Sequence, residues 1–395
     1  MKPKTILSLE QALTLPYATQ RFVQLGWRVI RIESNSFGGD PNRYIGNNIG
    51  FDDVHSYFVA PNVGKEAITL NLKAKEGQAL LKKIIHELKV DIFMCNTLPV
   101  RYKQLGIDFD SLKEANPNII WCGISAMGPD YPDVAGYDPA LQAMLGFMHL
   151  TGEADRDPLL CGLPIVDLKA GDEAFAQVLL ALAEQRDTSG GKEIFISMTQ
   201  CLATWLITTL PELALNPDDK DKFTRCGNEH RSFIPCNCYP TKDGYIYIAI
   251  GSDQQWEKFC HIPGFEHAAT PERKTNAGRK KEKDNIYEDI RQGASNYTTE
   301  ALLEICREHN LVVAPINTVK DVATQEFVTK NFIKMQLPSG EQANLFPAPI
   351  NTDFLDSKNM TLEFPPHLGE HNSKILHEVG LNDSEIEELK IRGII

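Results

Sequence analysis

One carboxylate stands where chemistry is possible. Asp167 lies in the run Gly162-Leu-Pro-Ile-Val-Asp-Leu-Lys-Ala-Gly171, a proline-containing loop that feeds a helical pattern beginning near Ala170. A carboxylate beside a helix N-terminus is favoured as an anion by the dipole and the free N–H groups of the first turn. These residues allow two readings: a helix cap, or a site carboxylate kept charged. Tyr137-Asp138, after Gly136, reads as a turn into a helix from Pro139 to Leu145, with Asp138 as its cap or as a second site carboxylate.

Other chemistries leave no trace. No Gly-x-Gly-x-x-Gly follows a strand, and no phosphate-binding Gly-x-x-x-x-Gly-Lys-Ser/Thr is present. A Gly-x-Ser-x-Gly elbow and a His-Glu-x-x-His pair are also missing, which weakens esterase and metalloprotease readings. Acidic residues at loop ends, beside Gly, Pro and aromatic residues, remain. Ligands of open α/β sheets bind at such ends.

The elements that must position these groups alternate in type. Thr5–Leu9 reads as a strand, Leu13–Leu25 as a helix stopped by Gly26, and Trp27–Glu33 as a second strand ending in a loop from Ser34 to Arg43. Strand, helix and strand recur over Ala67–Leu72, Lys75–Leu88 and Val90–Met94. A short helix over Asp108–Glu114, a strand over Ile119–Ile124, a helix over Ala170–Glu184, a strand over Glu193–Ser197 and a helix over Met198–Leu213 continue the series. Such alternation predicts a parallel sheet with helices on both faces. From Phe233 the texture becomes a strand pair around Lys242-Asp243-Gly244, with Tyr245–Ile250 its clearest strand, then helices over Gln255–Cys260 and Thr299–His309 and a strand over Val312–Ile316. The tail from Gly369 is helical. At 395 residues the chain is too long for one core. The expected division is a large domain in 1–200, a linker helix in 201–225, a smaller α+β domain in 226–325 and a return to the large domain in 326–395.

Composition narrows the class. A hydrophobic share of 42% and a charged share of 24% are those of a globular protein. No apolar run approaches the roughly 18 residues of a membrane span, and the N-terminus lacks a secretory apolar core. Nine cysteines without framework spacing read as reduced thiols, so the expected location is the cytoplasm. Cys226, His230, Cys236 and Cys238 lack the paired spacing of a zinc site, so no metal is expected. A net charge of -13 argues against nucleic acid as a partner. The basic cluster Arg273, Lys274, Arg279, Lys280, Lys281 and Lys283 reads as a solvated surface.

Taken in order along nearly the whole chain, several segments carry a resemblance. They are Leu25–Glu33 with Gly39-Asp-Pro41, Ile68–Lys73, Asn96 with Leu105-Gly106, Gly136–Gln142 with Leu150-Thr-Gly152, Asp167 with Gly171, Asp243-Gly244-Tyr245, and Leu368–His371 with Val379–Asp383. Together they resemble the class III CoA-transferase family, of the formyl-CoA/carnitine CoA-transferase type. The resemblance implies a large doubly wound, Rossmann-like domain built from both chain ends, a small inserted domain, and an interlocked homodimer. It implies an enzyme moving coenzyme A from an acyl-CoA to a carboxylic acid acceptor, with CoA as substrate and no tightly bound cofactor. Asp167 matches the catalytic aspartate, Tyr137 a tyrosine beside the acyl group with Asp138 next to it, and Leu70, Lys73 and Asn96 the CoA site.

The chemistry suits a carboxylate. With a reference pKa near 3.9 it is ionised at neutral pH and attacks a thioester carbonyl without a separate base. Gly251, with Ser252, at the end of a small-domain strand is a candidate donor to the resulting oxyanion. The sequence departs from the family at Leu13, Ser34, Thr97 and Gln104, where relatives often carry cationic or amide groups that grip CoA. Arg43, Arg101 and Lys103 lie in the same segments as substitutes. No glycine-rich closing loop is present, so acyl specificity is expected to differ from formyl or oxalyl. His230, Arg231, Tyr239 and Trp256 are candidate anchors for the acid. Two alternatives stay open: a 2-methylacyl-CoA racemase, which would lack the His that its relatives place where Tyr137 stands, and a non-catalytic CoA-binding subunit of a hetero-oligomer.

Overall fold

The computed structural model describes residues 2–36, 38–218 and 223–395. Six strands build its main sheet: β1 (Thr5–Leu9), β2 (Arg28–Glu33), β3 (Glu66–Thr69), β4 (Ile92–Cys95), β5 (Ile120–Ser125) and β6 (Lys192–Ser197). Every pairing is parallel, in the order β3-β2-β1-β4-β5-β6. This is a doubly wound order, reversing between β1 and β4, so a crevice opens at the carboxyl ends of those strands. The apolar runs of β1, β4 and β5 are buried because helices cover both faces of the sheet.

The helices of this layer include α1 (Thr14–Val23), α2 (Lys75–Glu87), α3 (Asp138–Met144) and α4 (Ile165–Glu184). The long helix α4 starts five residues before the expected Ala170, because Pro164 precedes its first turn as a breaker that needs no N–H. Asp167 is therefore inside that turn rather than in the loop before it. The helix expected over Met198–Leu213 is broken into α-helix Met198–Ala203, 3-10 turns Thr204–Thr208 and α-helix Leu210–Leu215. Part of the expected linker helix, residues 219–222, lies outside the described residues.

Two compact units emerge, one of residues 1–145, 162–207 and 326–395, the other of 146–161 and 208–325. In the second, β7 (Cys236–Pro240), β8 (Tyr245–Ala249) and β9 (Val312–Pro315) form an antiparallel sheet. Its core gathers Tyr239, Trp256, Phe259 and Phe265 under helices α5 (Asp253–Phe259), α6 (Asn276–Lys281), α7 (Lys283–Ala294) and α8 (Thr299–Glu308). The basic cluster is not wholly a solvated surface. Arg279 is 1% exposed and donates to Asp253, and Arg273 pairs with Glu282 and Asp289, because α6 and α7 fold them against the core. A third sheet, β10 (Phe332–Gln336), β11 (Gln342–Pro347) and β12 (Thr361–Leu362), belongs to the returning chain. The tail then puts Ile375, Leu376, Val379, Ile386 and Ile394 into the same core as Leu7, Ile30 and Trp121. Among the described residues no helix is long and apolar enough to cross a membrane.

Candidate active site

The segment from Glu10 to Thr14 joins β1 to α1 at the crevice, and the surrounding structure over-determines it. Ala12 adopts φ +60°, a left-handed conformation unfavourable for a residue with a Cβ. Two polar side chains hold it there. Asn96 accepts from the Gln11 N–H at 3.1 Å and donates to its carbonyl at 2.7 Å, while Asp40 accepts from the Ala12 N–H at 3.2 Å. The loop thus delivers Thr14, buried, to the first turn of α1.

Thr14 meets Asp167. Its hydroxyl donates a short hydrogen bond to Asp167 Oδ1. Helices α1 and α4 approach closely enough for this because Gly171 lies between them: a Cβ there would stand 2.6 Å from the Tyr17 ring and 2.9 Å from the Thr14 carbonyl oxygen. Any side chain at 171 would push the helices apart and lengthen the Thr14–Asp167 contact.

Asp138 stands behind Asp167. It is 6% exposed, and its Oδ2 accepts from the backbone N–H of Val166 at 2.7 Å and of Asp167 at 3.2 Å, while Oδ1 accepts from Gln142 at 2.6 Å. Asp138 is therefore not the cap of α3, whose flanking residue Tyr137 makes no side-chain cap bond. It caps α4 instead, satisfying two orphan donors of that helix across 28 residues of sequence. Its oxygens thus engage Gln142 and the first turn of α4 that carries Asp167. Tyr137, by contrast, is 79% exposed at the start of α3.

These surroundings set the acidity of Asp167. Burial is the largest cause and pushes its pKa from 3.8 to about 6, the Asp138 charge pushes the same way, and the Thr14 hydrogen bond opposes both. The Tyr57 phenol, itself raised by burial and by the charges of Asp167 and Asp138, completes the set. Sequence reasoning missed Thr14 and Tyr57, because neither carries a motif and only the fold brings them to Asp167.

Beside this segment a cleft of about 200 Å³ opens at the carboxyl ends of β1, β2 and β4. Ser34, Leu70, Lys73, Asn96, Thr97 and Arg101, six of the eight expected CoA-site residues, line it together with Glu10 and Gln11. Leu13 and Gln104 lie outside the lining. Asn96 spends its amide on Gln11, which makes it a support of the loop. Of the substitute cations, Arg101 lines the cleft and is exposed, whereas Lys103 does not line it. Arg43 is a correction. It is wholly buried, donates to Glu33 from Nε at 2.8 Å and Nη2 at 2.5 Å and to the Pro366 carbonyl at 3.0 Å, so it grips no ligand. It belongs to a buried ionic group with Arg31, Glu33, Asp40, Glu10 and Lys65, in which both guanidinium groups lie over the Phe58 ring. Its three cations offset these three carboxylates, and Glu10, Glu33 and Asp40 line the cleft.

In the smaller unit Gly251 is also corrected: its N–H donates to Gln255 Oε1 at 2.8 Å, next to Ser252, which caps α5, so this N–H is not free for an oxyanion. Tyr239 and Trp256 are core residues at 0% and 3% exposure and anchor no acid, whereas His230 and Arg231 line a cavity. Among the described residues no group of three or more His, Cys, Asp or Glu side chains is placed to hold a metal ion.

A doubly wound sheet with a cleft at its switch point, and a buried aspartate held by the segment that lines that cleft, form an α/β architecture with its candidate site at the carboxyl ends of the strands. Residues 2–372 match the family model for CoA-transferase family III, and the chain belongs to that family. It is 28% identical to the succinate–glutarate CoA-transferase of Agrobacterium fabrum, over 95% of this chain and 94% of that protein. It is also 28% identical to the human succinyl-CoA:glutarate CoA-transferase, covering 99% and 88%, and to the formyl-CoA:oxalate CoA-transferase of Streptomyces coelicolor, covering 99% and 98%. A CAIB/BAIF family protein from Brucella suis superposes with a TM-score of 0.82 at 27% identity, covering 95% of this chain and 98% of that one. The protein is a class III CoA-transferase family enzyme.

Proposed function

We propose that this enzyme exchanges coenzyme A between carboxylic acids with Asp167 as covalent nucleophile. The carboxylate attacks the acyl carbonyl of the donor thioester; the C–S bond breaks, CoA leaves as thiolate, and a mixed anhydride forms on Asp167. The thiolate attacks the aspartyl carbonyl, expels the donor acid as carboxylate, and leaves an aspartyl-CoA thioester. The acceptor carboxylate opens that thioester, and the returning thiolate takes the new acyl group and frees Asp167. No proton is gained or lost overall. One observation carries the reading: the five-residue segment whose Glu10 and Gln11 line the cleft also supplies Thr14, the hydrogen-bond donor to Asp167.

CoA is proposed to lie in the cleft of Ser34, Leu70, Lys73, Thr97 and Arg101, with Tyr137 beside the acyl group and no tightly bound cofactor. An interlocked homodimer is part of the proposal. Leu210, Leu213 and Leu215, exposed on the short helix Leu210–Leu215, support it as apolar side chains that such an interface would cover. All nine cysteines stand as thiols, in keeping with a reducing cytoplasm. The test is transfer of CoA from a panel of acyl-CoA donors to carboxylic acids, read as new thioester by mass spectrometry. New thioester supports the reading, while exchange of the acyl α-proton without transfer would put a racemase in its place.

The pH dependence rests on Asp167. Only the ionised carboxylate attacks, so kcat/KM rises about tenfold per pH unit up to about 6 and is flat above it. Thr14→Val removes the bond that stabilises the anion, so the acid limb moves to higher pH. A kcat/KM profile from pH 4.5 to 8 for both proteins measures this. An unmoved limb in Thr14→Val would show that Asp167 is not the titrating group.

A further inference from the structure

A single buried ammonium ties down both ends of the segment that carries Thr14. Lys65 stands between the short helix Ser56–Asn62 and β3, and its side chain is wholly buried. An ammonium carries three N–H donors and accepts nothing. All three are used: on Glu10 Oε1 at 2.7 Å, on the Pro16 carbonyl at 3.0 Å and on Asn62 Oδ1 at 3.1 Å. Glu10 directly follows β1 and Pro16 lies in the first turn of α1, so one nitrogen joins the two ends of the stretch that runs through Thr14. The other oxygen of Glu10 accepts from Ser8 in β1 at 3.0 Å and from Thr19 in α1 at 2.6 Å, which draws the same two elements together. Asn62 is itself fixed, since its amide donates to the Phe58 carbonyl at 2.8 Å and its oxygen also accepts from Arg31. Between the clamped ends lies Ala12 at φ +60°, a conformation that a residue with a Cβ keeps only while its surroundings impose it. Release of the ends would let the chain turn there, two residues before Thr14, and carry the hydroxyl away from Asp167.

We infer that Lys65 is a positioning residue for the transfer reaction: it does not line the cleft, and it acts by holding the Thr14 hydroxyl on Asp167. The inference rests on the reading of Asp167 as nucleophile and adds what secures its hydrogen bond. The test is the kcat/KM profile for CoA transfer from pH 4.5 to 8, for Lys65→Met, Thr14→Val and the two combined. Lys65→Met is expected to lower kcat/KM about tenfold more at pH 5 than at pH 8, because loss of the Thr14 bond raises the pH at which Asp167 ionises. A fold that is merely loosened would lose the same factor at every pH. The combined variant separates positioning from the loss of a positive charge acting through space: its acid limb is expected to lie where that of Thr14→Val alone lies. Lys65→Met leaves Glu10 buried without its counter-ion, so Glu10→Gln/Lys65→Met, which withdraws both charges, is measured beside it and is expected to show the same shift. If Thr14→Val moves the limb and both Lys65 variants leave it in place, or if the Lys65→Met shift adds in full to that of Thr14→Val, the inference is overturned and Asp167 keeps its role. A limb that Thr14→Val does not move would overturn both.

Discussion

Asp167→Asn is expected to abolish CoA transfer, by at least about four orders of magnitude, and at the same time to raise the melting temperature. The two effects have one cause. Burial and the Asp138 charge hold the folded pKa of Asp167 at about 6, above its ordinary 3.8, so the native state binds that proton more tightly than the unfolded chain does. Stability from this group is therefore greatest below pH 4, falls as pH rises through about 6, and is at its lowest at neutral pH. Asparagine keeps an acceptor for Thr14 and carries no charge, so it relieves a cost of the order of 1–3 kcal/mol at pH 7. Thermal denaturation at pH 7.5 and at pH 5 checks both sign and window: the gain should shrink at the lower pH. A fall in melting temperature at pH 7.5 would instead make Asp167 a structural cap of α4.

Arg43→Met is expected to give the largest loss of stability. Glu33 is 3% exposed, and although burial acts to raise its pKa, the charges of Arg31 and Arg43 hold it below the ordinary carboxylate range. Removing Arg43 strips Glu33 of its bidentate partner and frees the Pro366 carbonyl, at a cost of about 3–5 kcal/mol. Because the folded pKa of Glu33 is depressed below its ordinary 4.5, its contribution is present above the unfolded pKa and lost as pH falls through the lower folded value, so the penalty should be smaller near pH 3.5 than at pH 8. Melting temperatures of the two proteins at both pH values measure it. A change within about 1 °C would mean that Arg43 is not the counter-ion of a buried carboxylate.

How much of this was legible in the sequence depended on whether the signal was local. Apolar runs such as Ile119–Ile124 announce strands buried on both faces, and the strand-helix alternation led to the parallel sheet. The order of motifs led to the family. Side-chain pairing was not local. Arg43 read as a substitute cation for CoA, and Arg273 and Arg279 as solvated ones, because only the fold shows their carboxylate and carbonyl partners. Asp138 read as the cap of the helix it begins, yet it serves one that starts 27 residues later, a relation that no spacing rule encodes. Thr14 and Asp167 are 153 residues apart in sequence and meet only through the close approach at Gly171. The small sheet of β10, β11 and β12 was invisible because its strands are short, half-exposed and interrupted.

Covalent transfer through Asp167 is tested most directly by trapping. The enzyme is incubated with acyl-CoA thioesters, quenched with hydroxylamine, digested, and mapped by mass spectrometry. The account predicts a hydroxamate at Asp167 that appears with a competent acyl-CoA donor and is absent with free acids alone. Transfer that proceeds with every donor while Asp167 stays unmodified, or a hydroxamate on another carboxylate, would contradict it.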